Sequence, residues 1–164
     1  MKRYLVMLFV FISSFYGFSQ SLPSEPANGF AFPIGSKFTI KLVPIDSVSF
    51  NYSIVKFEPF TEMIDTFDNE NLFSKSGEED TVDFYFCLGT RGETEDEKKK
   101  NMKVLLIFKN RSKYSMTYNS DIQRKEDGEY EKTSNMGAYA GVKGTEMWPY
   151  MIHSIGLNDF KRNK

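Results

Sequence analysis

The sequence predicts an all-β protein, an antiparallel β-sandwich of immunoglobulin-like outline with about seven strands and at most one short helix. Three observations predict it. Short apolar stretches recur between turn-forming residues, residues 104–108 are an unbroken apolar run, and residues 114–119 alternate between larger apolar or aromatic and polar side chains.

Residues 102–122, MKVLLIFKNRSKYSMTYNSDI, carry the clearest signal. Val104, Leu105, Leu106, Ile107 and Phe108 are too few, and too rich in strand formers, for an independent helix. A strand apolar on both faces needs a layer above and another below, so a second sheet or a helix lying across it is expected. Asn110, Arg111, Ser112 and Lys113 supply a polar turn. Beyond it Tyr114, Met116 and Tyr118 share one face, with Ser115, Thr117 and Asn119 on the other. The pair reads as a hairpin whose second strand is half exposed.

From the N-terminus, residues 1–19 begin with Lys2 and Arg3, run apolar from Tyr4 to Ile12 and end in Gly17, Phe18 and Ser19. This is the pattern of a secretory signal peptide. Its apolar part is short of the roughly 20 residues that span a membrane, so export is expected, with no span left after cleavage. Removing 19 of the 164 residues leaves 145, with 22 acidic against 19 basic side chains. That length suits one domain, and the mild acidity gives no reason to expect nucleic acid as a partner.

Residues 20–35 contain Pro23, Pro26 and Pro33 and read as an irregular leader. The sandwich is expected over residues 36–157 and an exposed tail over 158–164. Residues 37–43 and 48–57 alternate as half-buried strands. Residues 59–73 admit either a short helix from Thr61 to Asn69 or an irregular crossing segment; the acids Glu62, Asp65, Asp68 and Glu70 lack the spacing of a calcium loop. Residues 82–88 form a further strand. It carries Cys87, the single cysteine, whose apolar neighbours favour burial and which has no partner for a disulfide within the chain. The Glu93, Glu95, Asp96, Glu97 block is answered at once by Lys98, Lys99 and Lys100 and reads as a mobile loop tip. The glycines of residues 128–144 suggest turns and lack the phosphate-loop context. A last strand over residues 151–157 is expected to close the core with Met151, Ile152, Ile155 and Leu157.

No constellation for chemistry stands out. His153 is the single histidine, which excludes His- and Cys-rich zinc sites, and no G-x-S-x-G occurs. No catalytic residue, metal or cofactor is therefore assigned. Aromatic residues make up 16% of the chain. Tyr130, Tyr139, Trp148 and Tyr150 are the candidate ligand- or partner-binding residues, because such side chains suit contact with sugars or proteins; the alternative is that they fill the core. Residues 137–150 are where a site is sought first. Asn51-Tyr52-Ser53 and Asn110-Arg111-Ser112 match the N-glycosylation pattern.

In its signal segment and strand rhythm the chain resembles the small exported single-domain β-sandwich proteins of Gram-negative bacteria. It lacks the Cys pair of antibody domains, and the resemblance implies export without an activity. The expected function is an exported, non-catalytic binding or interaction module, periplasmic or extracellular, with a protein or glycan of the cell envelope as partner. Addition of a partner's strand to an exposed sheet edge would suit it. The alternatives are a periplasmic inhibitor or immunity-type protein that inserts the loop at 93–100 into a target, and a carbohydrate-active hydrolase with paired carboxylates.

Overall fold

The structure, a computed structural model, describes residue 23 and residues 25–163. The expected signal segment and the first leader residues lie outside the described residues.

Among the described residues, ten strands and one short α-helix follow in chain order: β1 (Gly29–Pro33), β2 (Ser36–Pro44), β3 (Ser49–Pro59), β4 (Ile64–Asp65), β5 (Thr81–Thr90), α1 (Glu95–Lys100), β6 (Lys103–Asn110), β7 (Met116–Gln123), β8 (Tyr130–Thr133), β9 (Lys143–Trp148) and β10 (Ser154–Arg162). They form one sheet in the order β8-β7-β10-β3-β2-β5-β6-β9, with β1 added to β10 and β4 to β5. Among the described residues only the two-residue β4–β5 match is parallel. The all-β antiparallel class with one short helix holds. The layers are made by a single sheet curling into a half-barrel over a shared interior, as long twisted sheets tend to do.

The concave face follows from the alternation. Phe38, Ile40 and Leu42 of β2, Phe50 and Tyr52 of β3, Val82, Phe84 and Phe86 of β5, and Val104, Leu106 and Phe108 of β6 all point inward. Met116, Tyr118 and Ile122 of β7 meet them from the other half with Ile155, Leu157 and Phe160 of β10. Tyr52 ties three strands at the centre: its hydroxyl donates to the Leu157 carbonyl at 2.6 Å and accepts the Phe30 N–H at 2.8 Å.

The convex face of β5 and β6 is apolar too, as the run at 104–108 requires. Tyr85, Cys87, Leu105 and Ile107 form a second, smaller core with Phe60, Ile64, Leu72 and Phe73 packed over it. The cover is neither a second sheet nor a helix from Thr61 to Asn69. It is an extended crossing segment containing β4 and one turn of 3-10 helix at Glu70–Leu72. Beyond it Arg111 donates from Nε to Asp83 at 2.6 Å and from Nη2 to the Ser74 carbonyl at 3.0 Å, which fastens the segment after the cover to the sheet.

Four local expectations change. β6 and β7 do not form a hairpin: β6 pairs with β5 and β9, and β7 with β10 and β8. The polar turn is a corner that carries the chain from one half of the sheet to the other, and Asn110 builds it. Its fully buried amide donates to the carbonyls of Tyr114 at 2.8 Å and Ala138 at 3.0 Å, and its oxygen accepts from the Ser112 N–H and hydroxyl. The leader contributes β1, whose Phe32 stacks on Phe38 with ring centroids 3.6 Å apart. Residues 158–162 are sheet rather than tail: β10 bulges at Asp159, which takes a positive φ of 58°, and runs on so that Phe160 is fully buried. Finally, β10 begins only at Ser154, and Met151 stays exposed while Ile152 is buried.

The corner yields a test. Asn110→Ala would strip the buried Ser112 N–H of its acceptor and take one of two donors from each of the Tyr114 and Ala138 carbonyls, which keep the Ser112 hydroxyl and the Met116 N–H, so a loss of about 3 kcal/mol in unfolding free energy is expected. Urea titration checks it, and a loss below about 1 kcal/mol would remove Asn110 from this role.

Candidate functional site

The cover stops short of the end of the sheet, and a groove opens where it stops. Thr66, Phe67, Arg91, Asn101, Lys103, Met147 and Pro149 line it, around about 490 Å³. Its floor is the convex side of β6 and β9, where Lys103 and Met147 project outward. One wall is the chain that leaves β4, held close by the Thr66 N–H donating to the Thr90 carbonyl at 2.9 Å. Gly89 beside it leaves room for the Leu105 side chain, which a Cβ there would meet at 2.2 Å.

Phe67 is turned out to the rim by local hydrogen bonding. The Asp65 carboxylate accepts the N–H groups of Phe67 and Asp68, each at 2.8 Å, an Asx turn that reverses the chain. The same two N–H groups, with Arg91 beyond them, hold the Asp65 carboxyl below its ordinary range. Asn69 then donates to the carbonyls of Asp65 and Thr66, and Lys143 of β9 reaches Asn69 and Glu70. The loop is thus fastened across the sheet, while Phe67 is left 63% exposed.

The rim beside Phe67 is cationic. The Arg91 guanidinium lies 5.2 Å from the centre of the Phe67 ring, and the Asn101 amide donates to the Arg91 carbonyl at 2.8 Å. Arg91 and Lys103 make no ion pair among the described residues, and no acid lines the groove. The Thr66 hydroxyl is buried without a hydrogen-bond partner. The arrangement can receive an apolar group between Phe67, Met147 and Pro149 and meet a negative charge at its edge.

Between Arg91 and Asn101 the chain forms α1. This corrects the expectation of a mobile loop tip, and the signal was present in the sequence. Thr94 and Glu97 make a capping box: the Thr94 hydroxyl accepts the Glu97 N–H at 3.2 Å, and the Glu97 carboxylate accepts the Thr94 N–H at 3.1 Å. Thr90 also hydrogen-bonds to the Lys98 carbonyl, tying the helix to the end of β5.

The four aromatic candidates do not converge. Trp148 is 5% exposed, belongs to the concave core, and donates its indole N–H to Thr133 at 3.1 Å. Tyr130 stands opposite Gln123 and shares a hydrogen bond with Ser154, and Tyr150 lies under the Arg124 guanidinium nearby. Tyr139 follows Ala138, which bridges to Met116 at the other end of β7. At about 3.3 Å per residue the two ends of β7 are roughly 23 Å apart. Within residues 137–150 the groove takes only Met147 and Pro149. Arg91 and Lys103 had no signal in spacing or composition, and Phe67 entered only as part of the ambiguous segment 59–73.

A second polar feature lies where the ends of the sheet meet. The Trp148–Thr133 bond and the Met136 N–H donating to Glu146 at 2.7 Å link β9 to β8 and the chain after it through side chains. Burial lifts the Glu146 carboxyl above its ordinary value, and burial together with the Glu146 charge pushes the Tyr118 phenol up. The Tyr118 hydroxyl is buried without a partner.

No protein-family model matches this chain, and no curated protein or solved structure is similar to it.

Two predictions follow from the burial described above. Burial pushes the Cys87 thiol up to about 12, so it should resist a thiol reagent at pH 8 in the native protein. Leu72→Ala, which thins the cover, is expected to speed that labelling at least tenfold; unchanged labelling would mean that the cover does not control access. For Glu146, a raised folded pKa favours the folded state fully below its ordinary 4.5, and this contribution is lost as pH rises through the folded value. Glu146→Gln keeps an acceptor for Met136 and removes the ionisation. It should melt above the parent at pH 7, with the difference closing near about pH 4.

Proposed function

We propose that this chain is a non-catalytic binding module whose partner is a protein, docked at the groove between Phe67 and Met147. The observation that supports it most directly is the exposure of two large apolar side chains, Phe67 and Met147, beside an Arg and a Lys without ion-pair partners. Arg91 and Lys103 supply the charged groups of the groove, while the Thr66 hydroxyl is buried and the Asn101 amide N–H is engaged by the Arg91 carbonyl. A glycan partner would favour open planar rings on one surface, and Trp148 is buried while Tyr130 and Tyr139 stand far apart.

Docking in the groove is preferred here to strand addition. Beyond Tyr52, β3 pairs only with β2 among the described residues, and its other edge is kinked by a bulge at Val55 and carries Lys56 and Glu58. Such edges discourage pairing. The hydrolase reading lacks a pair of carboxylates in the groove, and Asp83 has both oxygens occupied by Thr39 and Arg111. The inhibitor or immunity-type reading gains from α1, which is a capped charged helix at the edge of the groove; a captured lytic enzyme or toxin would favour it.

Export to the periplasm or the medium is part of the proposal, supported by Lys2, Arg3 and the apolar stretch that follows. The immunoglobulin-like outline and the likeness to small exported Gram-negative proteins belong to it as well, supported by the antiparallel all-β architecture.

The test is capture by the whole chain, tagged after Lys164 and expressed from Met1 in the organism that carries it, so that the host performs any processing. One protein recovered in near-equal amount from envelope or culture fractions is expected. Phe67→Ser with Met147→Ser should lose it, and Tyr139→Ser should retain it. Capture that survives the double substitution would move the interface elsewhere.

A further inference from the structure

We infer that the segment received by this groove is an acidic stretch of polypeptide carrying one large apolar side chain. This rests on the protein-binding reading above and adds the chemistry of the occupant.

Charge carries the argument. The chain as a whole is slightly acidic, with a formal net charge of −1. Its groove nevertheless has two cations, Arg91 and Lys103, and no acid along its lining. Of the acids nearby, the Asp65 carboxylate is turned onto the N–H groups of Phe67 and Asp68 and Glu70 is held by Lys143 at 2.8 Å, while Asp68 and Glu93 are exposed but lie outside the lining. The Arg91 guanidinium lies 5.2 Å from the Phe67 ring centre, which keeps its charge beside the apolar wall. A carboxylate arriving there meets a planar, multidentate donor.

Shape carries the rest. Phe67, Met147 and Pro149 are all exposed, so the site is an open groove rather than an enclosed pocket. An open groove suits a chain lying across it with one side chain inserted, whereas small molecules are usually enclosed. Met147 supplies an adaptable apolar surface for that side chain.

Selection from a random library of twelve-residue peptides displayed on phage tests this with the full chain as bait. Retained sequences are expected to place Asp or Glu within a few positions of Phe, Trp, Leu or Met. A fluorescein-labelled synthetic version of the most enriched sequence should then bind at least tenfold more tightly than its twin with Gln and Asn for the acids. That gap should close on Arg91→Gln with Lys103→Gln and shrink from 50 to 500 mM salt. Lys161→Gln, on another face, should leave it open. Apolar sequences retained without acids, or a neutral twin that binds equally, would overturn the inference. So would retention of no peptide. If any of these came with capture still abolished by Phe67→Ser and Met147→Ser, the inference alone would fall; if capture were insensitive to those substitutions, the binding reading would fall with it.

Discussion

Two neighbouring strands, β5 and β6, are apolar on both faces, and this constraint shapes most of what surrounds them. Val104, Leu106 and Phe108 need a concave interior, which the curl of the sheet supplies by bringing β7 and β10 over them. Leu105 and Ile107, one position out of phase, need a roof of their own, and the crossing segment after β3 provides Phe60, Ile64, Leu72 and Phe73. The burial of each face is driven by the same transfer of apolar surface from water, at about 25 cal/mol for each Å² removed. The groove is a by-product of the second demand. Its position is set by where the roof ends, at Thr66 and Phe67.

The strands themselves were largely legible because period-two alternation is a local property. β2, β3, β5, β6 and much of β7 lie close to where the pattern puts them. Pairing was not legible, since alternation says which face a residue takes and nothing about which strand lies alongside. Asn110-Arg111-Ser112-Lys113 looks like a hairpin turn, yet no Asn-Gly pair fixes that geometry, and the amide of Asn110 uses its four-way hydrogen-bonding capacity to make a corner instead. The end of β10 was hidden by the same ambiguity in reverse. Asn158-Asp159 looks like a stop, but Asp tolerates positive φ, and the strand absorbs it as a bulge and continues to Arg162.

The candidate site was less legible still, for a reason of geometry. Phe67, Arg91, Lys103 and Met147 come from four separate stretches and meet only because the sheet and its roof bring their ends together. Of the two readings admitted for residues 59–73, the helix from Thr61 to Asn69 does not form: Phe60 and Ile64 pack onto the sheet, but an extended chain and one Asx turn put them there, and Met63 and Phe67 face solvent. Trp148 drew attention as a large amphipathic ring, and its N–H is satisfied inside the fold by Thr133. α1 was read as a loop tip, although Thr94 and Glu97 carry its start signal within four residues.

The burial of Asn110 has a bearing on how the protein can be produced. Oligosaccharide transfer in a eukaryotic secretory pathway acts on chains that are still unfolded, and Asn110-Arg111-Ser112 offers it an acceptor. An amide that carries a sugar can neither enter the closed corner nor donate both of its protons to Tyr114 and Ala138. Each modified molecule would thus be barred from the native state, and a yeast or mammalian secretion host would divide its output between foldable chains and permanently misfolded ones, whereas a bacterial periplasm lacking that transferase would not.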